Sequence, residues 1–531
     1  MIRRFELGLS FSFFLFALLM LIKDGSVLSS TLSQTHKIAG VSKSPFFDNQ
    51  LADLDDGQLS GFLEGLPLMT FVAALFVIGR KVLLSYKNTV SASLAYYLIA
   101  GLCHAAYIHG PAVVILIALV FLNYLFIKNF AGKKGFPIVL WVGNLVCMIL
   151  AEYFRNFEFH WIWDGLDFLD YYDCILRWYS VTNFFLLKII SYGMDYHWMV
   201  QGKLIQTHEK HRLHCPECSE SIVCLKYRME AHSDLYSLSS FYSYAFYPPL
   251  YLAGPTISYN GWISQVRSPQ QTFSKTRLIT YILRFFSVFL ILLWFIHNIY
   301  LPTIANNPAN RSILDSFGPY EIIVTSFCVL KWIWLKFTVI WRYFRIWALF
   351  DGIESPENMN RCMCNNYCFE GFWRSWHRAF NQWLIRYLFI PLGGTKYKIY
   401  NIWVIFGFVA IWHDLSLNLL AWGWGMCLLI MPEVMVKAYF ARPNMAGFRR
   451  TLTYSWMCAI AGGVYACFMV IANLVGFSFG ISGFLMTLQG IYSVEGLILI
   501  MKCLVSLTFG VHFMLMYRDI EDSKGDKNKG F

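Results

Sequence analysis

The chain has 531 residues, of which 57% are hydrophobic, 18% are aromatic and only 14% are charged. A soluble domain carries about 25% charged residues, so this composition, with a mean hydropathy of +0.49, excludes an ordinary soluble protein and predicts a polytopic membrane protein. The net charge of +11 is spread in short clusters between apolar runs. Such spacing is typical of loop charge that sets membrane orientation, and it excludes a nucleic-acid-binding patch.

The apolar runs are long enough, or nearly long enough, to cross a bilayer. They predict an all-α fold of about ten to twelve transmembrane or re-entrant helices. We expect one membrane domain over residues 1–531, with a polar loop at 200–235 and a polar tail at 518–531. In chain order the runs are Phe5–Ile22, Leu66–Leu84, Ser91–Ile108, Ala112–Ile127, Pro137–Glu152, Cys174–Tyr192, Leu278–Tyr300, Glu321–Ile340, Ile399–Ile411, Leu415–Met431, Tyr454–Phe479 and Gly496–Met516.

The first run, Phe5–Ile22, follows two arginines and can be a signal peptide or a retained anchor. We expect an anchor, because the run is long and no clear small-residue cleavage site follows it. The loop at 23–64 is rich in acidic residues, whereas the loops near 80–87 and 128–134 are basic. This alternation predicts that the N-terminus lies in the cytosol.

A possible zinc site lies in the polar loop. A C-x2-C pair suits tetrahedral zinc, and the candidate ligands are His214, Cys215, Cys218 and Cys224. No second ligand pair follows at the spacing of a zinc finger, so a reduced loop with free thiols is the alternative interpretation.

Most of the fourteen cysteines lie in apolar runs, where they are expected to be small buried hydrophobic residues. A second group, Cys362, Cys364 and Cys368, lies at a membrane edge and can be acylated, ligate a cofactor or do neither. Asn310–Ser312 matches a glycosylation sequon, a triplet that also occurs often by chance.

Polar residues within apolar sequence concentrate between 370 and 415. The segment EGFWRSWHRAFNQWLIRYLFIPLGG has the periodicity of one helix, and residues at i, i+3, i+4 and i+7 share a face. The residues on that predicted face are Arg374, His377, Arg378 and Asn381. Bulky aromatic residues occupy another part of the surface, namely Phe372, Trp376, Phe380 and Trp383. Such a helix suits either the membrane interface, where Arg side chains reach phosphates, or the wall of a polar cavity.

His413 lies beside Asp414 in the apolar stretch FVAIWHDLSLNLLAWGWG. An ionisable group within the membrane is a functional hypothesis by default, although a lone His is more often a satisfied core residue. A helix over Ile399–Ile411 can return the chain and bring His413 and His377 into one water-poor cavity. A neutral imidazole there can accept a proton, as a general base must.

FWRSWHRAFNQWLIRYLFIPLGG, followed by AIWHD, resembles the paired motifs of the membrane-bound O-acyltransferase family, in its glycerol-uptake-protein-like and hedgehog-acyltransferase branch. YPPLYLAGPTISYNGW, at 247–262, resembles another block of this family, and the matching blocks lie within 246–432. The resemblance implies a helical bundle in the endoplasmic reticulum membrane. Its tunnel would join cytosolic acyl-CoA to a luminal or membrane acceptor.

The resemblance also implies roles for the polar residues. His413 falls on the essential His of the family, and His377 falls on its second polar position. The donor would be acyl-CoA, and the acceptor would be a hydroxyl of a lipid, such as a lyso-lipid or a glycosylphosphatidylinositol (GPI) anchor. His413 would take the hydroxyl proton during direct attack on the thioester, and His377 would orient a substrate or donate to the oxyanion.

Further residues complete the predicted substrate site. Arg374 and Arg378 would hold the phosphates of coenzyme A, unless they contact lipid headgroups, and Asn381 and Trp376 would join them. Asp414 can either orient His413 or cap the helix.

Three alternatives remain open. Hedgehog acyltransferases transfer palmitate to a protein and carry Asp where this chain has His377, which favours the hydroxyl-acceptor branch; their haem ligand would correspond to Cys362 or Cys364. A polytopic transporter, such as a glycerol transporter, often shows two related halves with interrupted helices, and no such repeat is visible. A catalytically silent scaffold would tolerate loss of both His residues.

Overall fold

The computed structural model describes residues 2–523 apart from five gaps, at 173, 204–232, 268, 270–272 and 481–491. Within these ranges the chain is predominantly helical, with one two-stranded sheet, which confirms the predicted all-α polytopic membrane fold. The helices are α1 (Ile2–Thr35), α2 (Gly57–Tyr86), α3 (Val90–His109), α4 (Val113–Phe130), α5 (Phe136–Tyr153), α6 (Tyr179–Val200), α7 (Leu238–Ala245), α8 (Tyr259–Arg267), α9 (Lys275–Asn298), α10 (Leu301–Asn306), α11 (Arg311–Asp315), α12 (Pro319–Phe350), α13 (Phe369–Ser375), α14 (Arg378–Leu384), α15 (Lys398–His413), α16 (Leu417–Phe440), α17 (Leu452–Phe477) and α18 (Val494–Ser523). The strands β1 (Val41–Lys43) and β2 (Leu51–Asp53) pair antiparallel, with Val41 opposite Asp53.

Nine helical stretches in the described ranges are long and apolar enough to cross a bilayer, and one of them, Val90–Phe130, contains both α3 and α4. In α12, 67% of the apolar 18-residue segment of the helix is buried, whereas in α1 the corresponding share is 6%. The first helix therefore lies at the lipid-facing edge, and α12 forms the centre of the bundle. The amphiphilic helix α6 and the short apolar helix α15 also lie inside the bundle, next to the candidate site.

Short polar side chains mark where the helices begin. Asp56, Thr89 and Ser416 each accept a hydrogen bond from the backbone N–H three residues further on, which starts α2, α3 and α16. Such caps satisfy amides that have no partner within the helix. The cap at Ser416 fixes the start of α16, so that only three residues, 414–416, separate it from the end of α15.

The prediction of a single helix through Arg374, His377 and Asn381 is wrong. Helix α13 ends at Ser375, α14 begins at Arg378, and His377 lies between them in the left-handed region, with φ 45° and ψ 44°. The predicted common face therefore does not exist. The physical reason is that the first amides of α14 are paired with a distant segment of the chain, which the periodicity of the side chains does not reveal.

Two boundaries differ from the predicted runs. The first helix continues to Thr35, well beyond Ile22, and the α6 helix begins at Tyr179 instead of Cys174. The rings of Phe11 and Phe513 lie 5.1 Å apart, so α1 packs on α18.

The sequon at Asn310 is not an accessible acceptor. Asn310 is 1% exposed. Its amide donates to the carbonyl oxygens of Ala39 at 3.0 Å and Thr303 at 3.4 Å, and its oxygen accepts from the Ala39 N–H at 2.9 Å. Attachment of a glycan would replace one of the two Nδ2 hydrogens and so break at least one of these bonds.

Asp53 links the β2 strand to α10 through a buried carboxyl. The hydroxyl and the N–H of Thr303 both donate to it. Burial raises the pKa of Asp53 from 3.8 to about 7. Because the unfolded carboxyl loses its proton near pH 3.8, the folded state binds this proton more tightly. The stabilisation is complete below that pH and is lost as the pH rises to about 7.

We therefore predict that the midpoint of thermal unfolding in detergent falls between about pH 5 and pH 7.5, and that Asp53→Asn reduces this fall. Asn imitates the protonated carboxyl, because its oxygen can accept from the Thr303 N–H and its amide can donate to the Thr303 hydroxyl. Asp48→Asn, at an exposed position, serves as the control and should keep the wild-type slope. Equal slopes in all three proteins would show that Asp53 does not titrate on unfolding.

Candidate active site

His413 is the last residue of α15, and its exposed side chain packs against aromatic rings on one side. The ring centroid lies 4.9 Å from that of Trp412, 5.6 Å from Phe477 and 6.3 Å from Trp422, all in edge-to-face geometry. Asp414 follows in extended conformation, with φ −171° and ψ 151°, as the C-cap of the helix. The structure thus gives Asp414 a place at the helix end, next to the site.

A cavity of about 200 Å³ lies beside His413. The ends of α5 and α15 and the first turns of α6 form its wall, and several of its side chains are polar. A concave space with a few convergent polar groups is the usual form of a binding site for a small polar group. The lining residues are Met148, Ala151, Glu152, Tyr179, Ser180, Asn183, Ile411, His413, Asp414 and Leu415.

Asn183 ties α6 to the end of α15 by two reciprocal hydrogen bonds. Its amide donates to the carbonyl oxygen of Trp412 at 2.6 Å, and the Trp412 indole N–H donates to the Asn183 carbonyl oxygen at 3.0 Å. The last carbonyl groups of a helix have no partner within the helix, so Asn183 satisfies one of them directly before His413. Sequence reasoning missed this residue, although an Asn inside the apolar run Cys174–Tyr192 was a visible signal.

His377 is half-buried and also packs on aromatic rings. Its ring centroid lies 4.5 Å from Trp341, 5.1 Å from Phe380 and 6.2 Å from Trp412. Its Nδ1 atom is buried and has no hydrogen-bond partner among the described residues. The two imidazoles both contact Trp412 and interact electrostatically. The structure therefore brings them together, but only His413 of the two lines the cavity.

Of the predicted substrate-binding residues, Arg378, Asn381 and Trp376 lie around His377. The guanidinium of Arg378 donates to Asn360 Oδ1 at 3.2 Å, and the backbone N–H of Asn381 donates to the carbonyl oxygen of His377 at 3.0 Å. Trp376 stacks on Phe372 at 5.7 Å. None of the three lines the cavity at His413, so substrate contacts by them stay a prediction.

Arg374 belongs to a charged cluster that the sequence did not reveal. Its side chain is 72% exposed and pairs with Glu370 at 2.7 Å. Glu370 also pairs with Lys437 at 3.2 Å and lies 3.9 Å from Lys398, and Lys437 pairs with Glu433 at 2.6 Å. Three cations and two carboxylates thus meet at the start of α15, the opposite end of that helix from His413.

Cys362 is a thiol in an electropositive setting. The Lys331 ammonium donates to its sulfur at 3.4 Å. The pKa of Cys362 is lowered to about 5, because the Cys364 thiol donates a hydrogen bond to it and Lys331 lies beside it. Thiolate chemistry suits iron, so this setting is compatible with the predicted haem ligand. Haem binding stays a prediction of the resemblance.

The other candidate ligands give no metal site in the described residues. Cys368 instead caps α13, accepting from the Gly371 N–H. The part of the chain that the structure describes contains no cluster of three or more His, Cys, Asp or Glu side chains placed to bind a metal ion. The zinc candidates fall within 204–232, outside the described residues.

Fold and cavity together define a class of protein, a multi-pass helical membrane protein with a His at a polar cavity near the end of a helix. The model of MBOAT, the membrane-bound O-acyltransferase family, matches residues 140–477. The chain belongs to this family. The predicted resemblance, the prediction of an acyltransferase and that of an integral multi-pass membrane protein are thereby confirmed.

Individual relatives agree with the family. Membrane-bound O-acyltransferase gup1 of Schizosaccharomyces pombe is 34% identical, over 87% of this chain and 80% of the relative. Membrane-bound O-acyltransferase GUP1 of Saccharomyces cerevisiae is 31% identical, over 89% and 83%. Protein-cysteine N-palmitoyltransferase HHAT of Mus musculus is more distantly similar, at 22% identity over 34% of this chain and 37% of the relative.

Replacement of Asn183 should destabilise the site. Asn183→Leu leaves the Trp412 carbonyl without its partner inside the bundle, which costs about 1–3 kcal/mol. We expect a lower midpoint of thermal unfolding in detergent. Asn129→Leu is the matched control, because the Asn129 amide also donates to a backbone carbonyl, at 2.9 Å, but at an exposed position. Equal midpoints for the two variants would contradict the structural role given to Asn183.

Proposed function

We propose that this protein transfers a fatty acyl group from acyl-CoA to a hydroxyl of a lipid acceptor in the endoplasmic reticulum membrane, with His413 as the general base. The observation that carries the proposal is the position of His413, an imidazole held by aromatic rings at the wall of a polar cavity. A base must lie within hydrogen-bond reach of the proton that it abstracts, and a hydroxyl group in this cavity meets that condition.

The proposed reaction is a direct displacement. The acceptor hydroxyl gives its proton to His413 while its oxygen attacks the thioester carbonyl, and the thiolate of coenzyme A leaves as the new ester forms. A general base contributes about 10²–10⁴-fold to the rate of such a step.

In this proposal, His377 stabilises the oxyanion that develops at the thioester. Its Nδ1 is buried and has no partner in the part of the chain that the structure describes, and an unpaired polar atom inside a protein is costly unless a ligand or water satisfies it. In the tautomer with a proton on Nδ1, it can donate to the oxyanion that develops on the thioester oxygen. Donors placed for the transition state are often the largest single contribution to catalysis.

The charged groups at the two ends of α15 support separate binding sites for the donor and the acceptor. Helix α15 carries Lys398 at its first residue and His413 at its last, about 22 Å apart at 1.5 Å per residue. The cluster around Lys398, Arg374 and Lys437 offers cations to the phosphates of coenzyme A, although Glu370 and Glu433 neutralise part of that charge. The His413 cavity offers Glu152, Tyr179 and Ser180 to an acceptor that bears hydroxyl groups, such as a lyso-lipid or a lyso-GPI anchor.

We predict that the purified protein, supplied with labelled acyl-CoA and lyso-lipid acceptors, forms an acylated product. His413→Ala should reduce the rate by about 100-fold or more with folding unchanged, since the base is lost. His377→Ala should reduce the rate as well, through loss of the oxyanion donor. His36→Ala removes an exposed imidazole and should have the wild-type rate.

Two outcomes would overturn this proposal. Acyl transfer at the wild-type rate in His413→Ala would remove the proposed base. Solute flux into liposomes that survives both substitutions, with no acyl transfer by the wild type, would favour a transporter.

A further inference from the structure

The backbone at His377 is strained. A residue other than Gly at φ 45° and ψ 44° is unfavourable and persists only where its surroundings hold it. The His377 side chain does not stabilise this backbone conformation, because it makes no hydrogen bond to the start of α14. Another part of the chain must stabilise this conformation.

Asn358 provides that stabilisation from the connection between α12 and α13. Its carbonyl oxygen accepts from the Arg378 N–H at 3.1 Å, and its side-chain Oδ1 accepts from the Ala379 N–H at 3.1 Å. These are the first two amides of α14. On the other side of His377, the Asn360 N–H donates to the Ser375 carbonyl oxygen at 3.4 Å. The segment around Asn358 therefore pairs with the backbone on both sides of His377.

Asn358 is itself held firmly. It is fully buried, and its N–H donates to Glu357 Oε1 at 3.1 Å. Glu357 lies 3.7 Å from the guanidinium of Arg345, which also donates to the Ser355 carbonyl oxygen at 2.8 Å. Arg345 belongs to α12, the most buried of the membrane-spanning helices, so the support of His377 reaches the centre of the bundle.

We propose that Asn358 is a positioning residue: it caps α14 in place of His377, holds the His377 backbone in the left-handed conformation and so directs the imidazole at Trp412 beside His413. Without these bonds, α13 and α14 can join into one regular helix, and that change would turn the His377 side chain away from its present direction. The consequence for catalysis rests on the function proposed above, whereas the consequence for geometry does not.

The chemistry of Asn358 suggests a sharp pair of variants. Its Nδ2 atom has no hydrogen-bond partner among the described residues, so only the acceptor oxygen of the side chain is used. Asn358→Asp keeps that oxygen, and Asp is as good a cap as Asn. Asn358→Leu keeps the approximate size and loses the acceptor.

In the acyl-transfer assay, Asn358→Leu should lower kcat at least about 10-fold while KM for acyl-CoA changes less than about threefold, and Asn358→Asp should retain most of the activity, because only the leucine variant releases His377. The effect of Asn358→Leu should also disappear in the His377→Ala background, as expected for two residues that act through one another. Equal losses in both backgrounds would overturn the proposal.

A second readout needs no activity. Diethyl pyrocarbonate modifies accessible imidazoles, and mass spectrometry can follow His377 and His413 separately. The rate of modification of His377 should change several-fold in Asn358→Leu and remain near the wild-type rate in Asn358→Asp. Asn144→Leu removes another buried Asn, which bonds Leu140 and Asn123 in α5 and α4, and should not change the rate at His377.

The two proposals can fail separately. A wild type without acyl transfer, combined with the expected change in modification at His377, would reject the enzyme reaction and keep the positioning role. Unchanged modification of His377 in Asn358→Leu would reject the positioning role whatever the activity.

Discussion

The indole of Trp412 is the contact on which the candidate site depends. It stacks on Phe380 of α14 at 4.4 Å, its N–H donates to the backbone carbonyl oxygen of Asn183 in α6 at 3.0 Å, and both imidazoles lie edge-to-face with it. One ring thus joins three helices and the two candidate catalytic residues, His377 and His413. Because protein interiors are closely packed, a shift of one of these helices is transmitted to both imidazoles through this ring.

Polar groups buried in a membrane bundle pair with one another, and a buried carboxylate provides such partners just beyond α14. Asp195 of α6 accepts from the Arg386 guanidinium at 2.9 Å, from the Tyr387 hydroxyl at 3.0 Å and from the Asn260 N–H at 3.0 Å. Arg386 and Tyr387 lie in the single π-helical turn that follows α14. The same principle operates at Asn358, so the two ends of α14 are each held by a polar group from elsewhere in the chain. That arrangement explains how so short a helix keeps a fixed direction among long ones.

The sequence was informative where a signal is local and chemical, and silent where it depends on distant pairing. Apolar runs predicted the helical membrane fold, and His413 stood out because an imidazole is rare in such a run. The break at His377 could not be predicted, since helical periodicity continues through it and the responsible acceptor, Asn358, lies 19 residues earlier in a loop. Asn183 was overlooked for a similar reason, because its partner Trp412 is far away in the chain. Residues that carry chemistry were thus easier to find than residues that position them.

Polar groups lie at the two ends of α15, and aromatic groups lie along its middle. Ion pairs surround Lys398 at its first turn, aromatic packing covers its middle, and a polar cavity opens at His413. A hydrophobic acyl chain is compatible with the middle section, whereas the charged part of a donor and the hydroxyl groups of an acceptor are not. Under the proposed function, the two polar ends would be the places where an amphiphilic donor and acceptor enter, and their reacting groups would have to meet near Trp412, one residue before the end of the helix. Under the proposed function, the length of this one short helix would then set the distance between the two entrances, and the imidazoles at Trp412 would act where the two paths join.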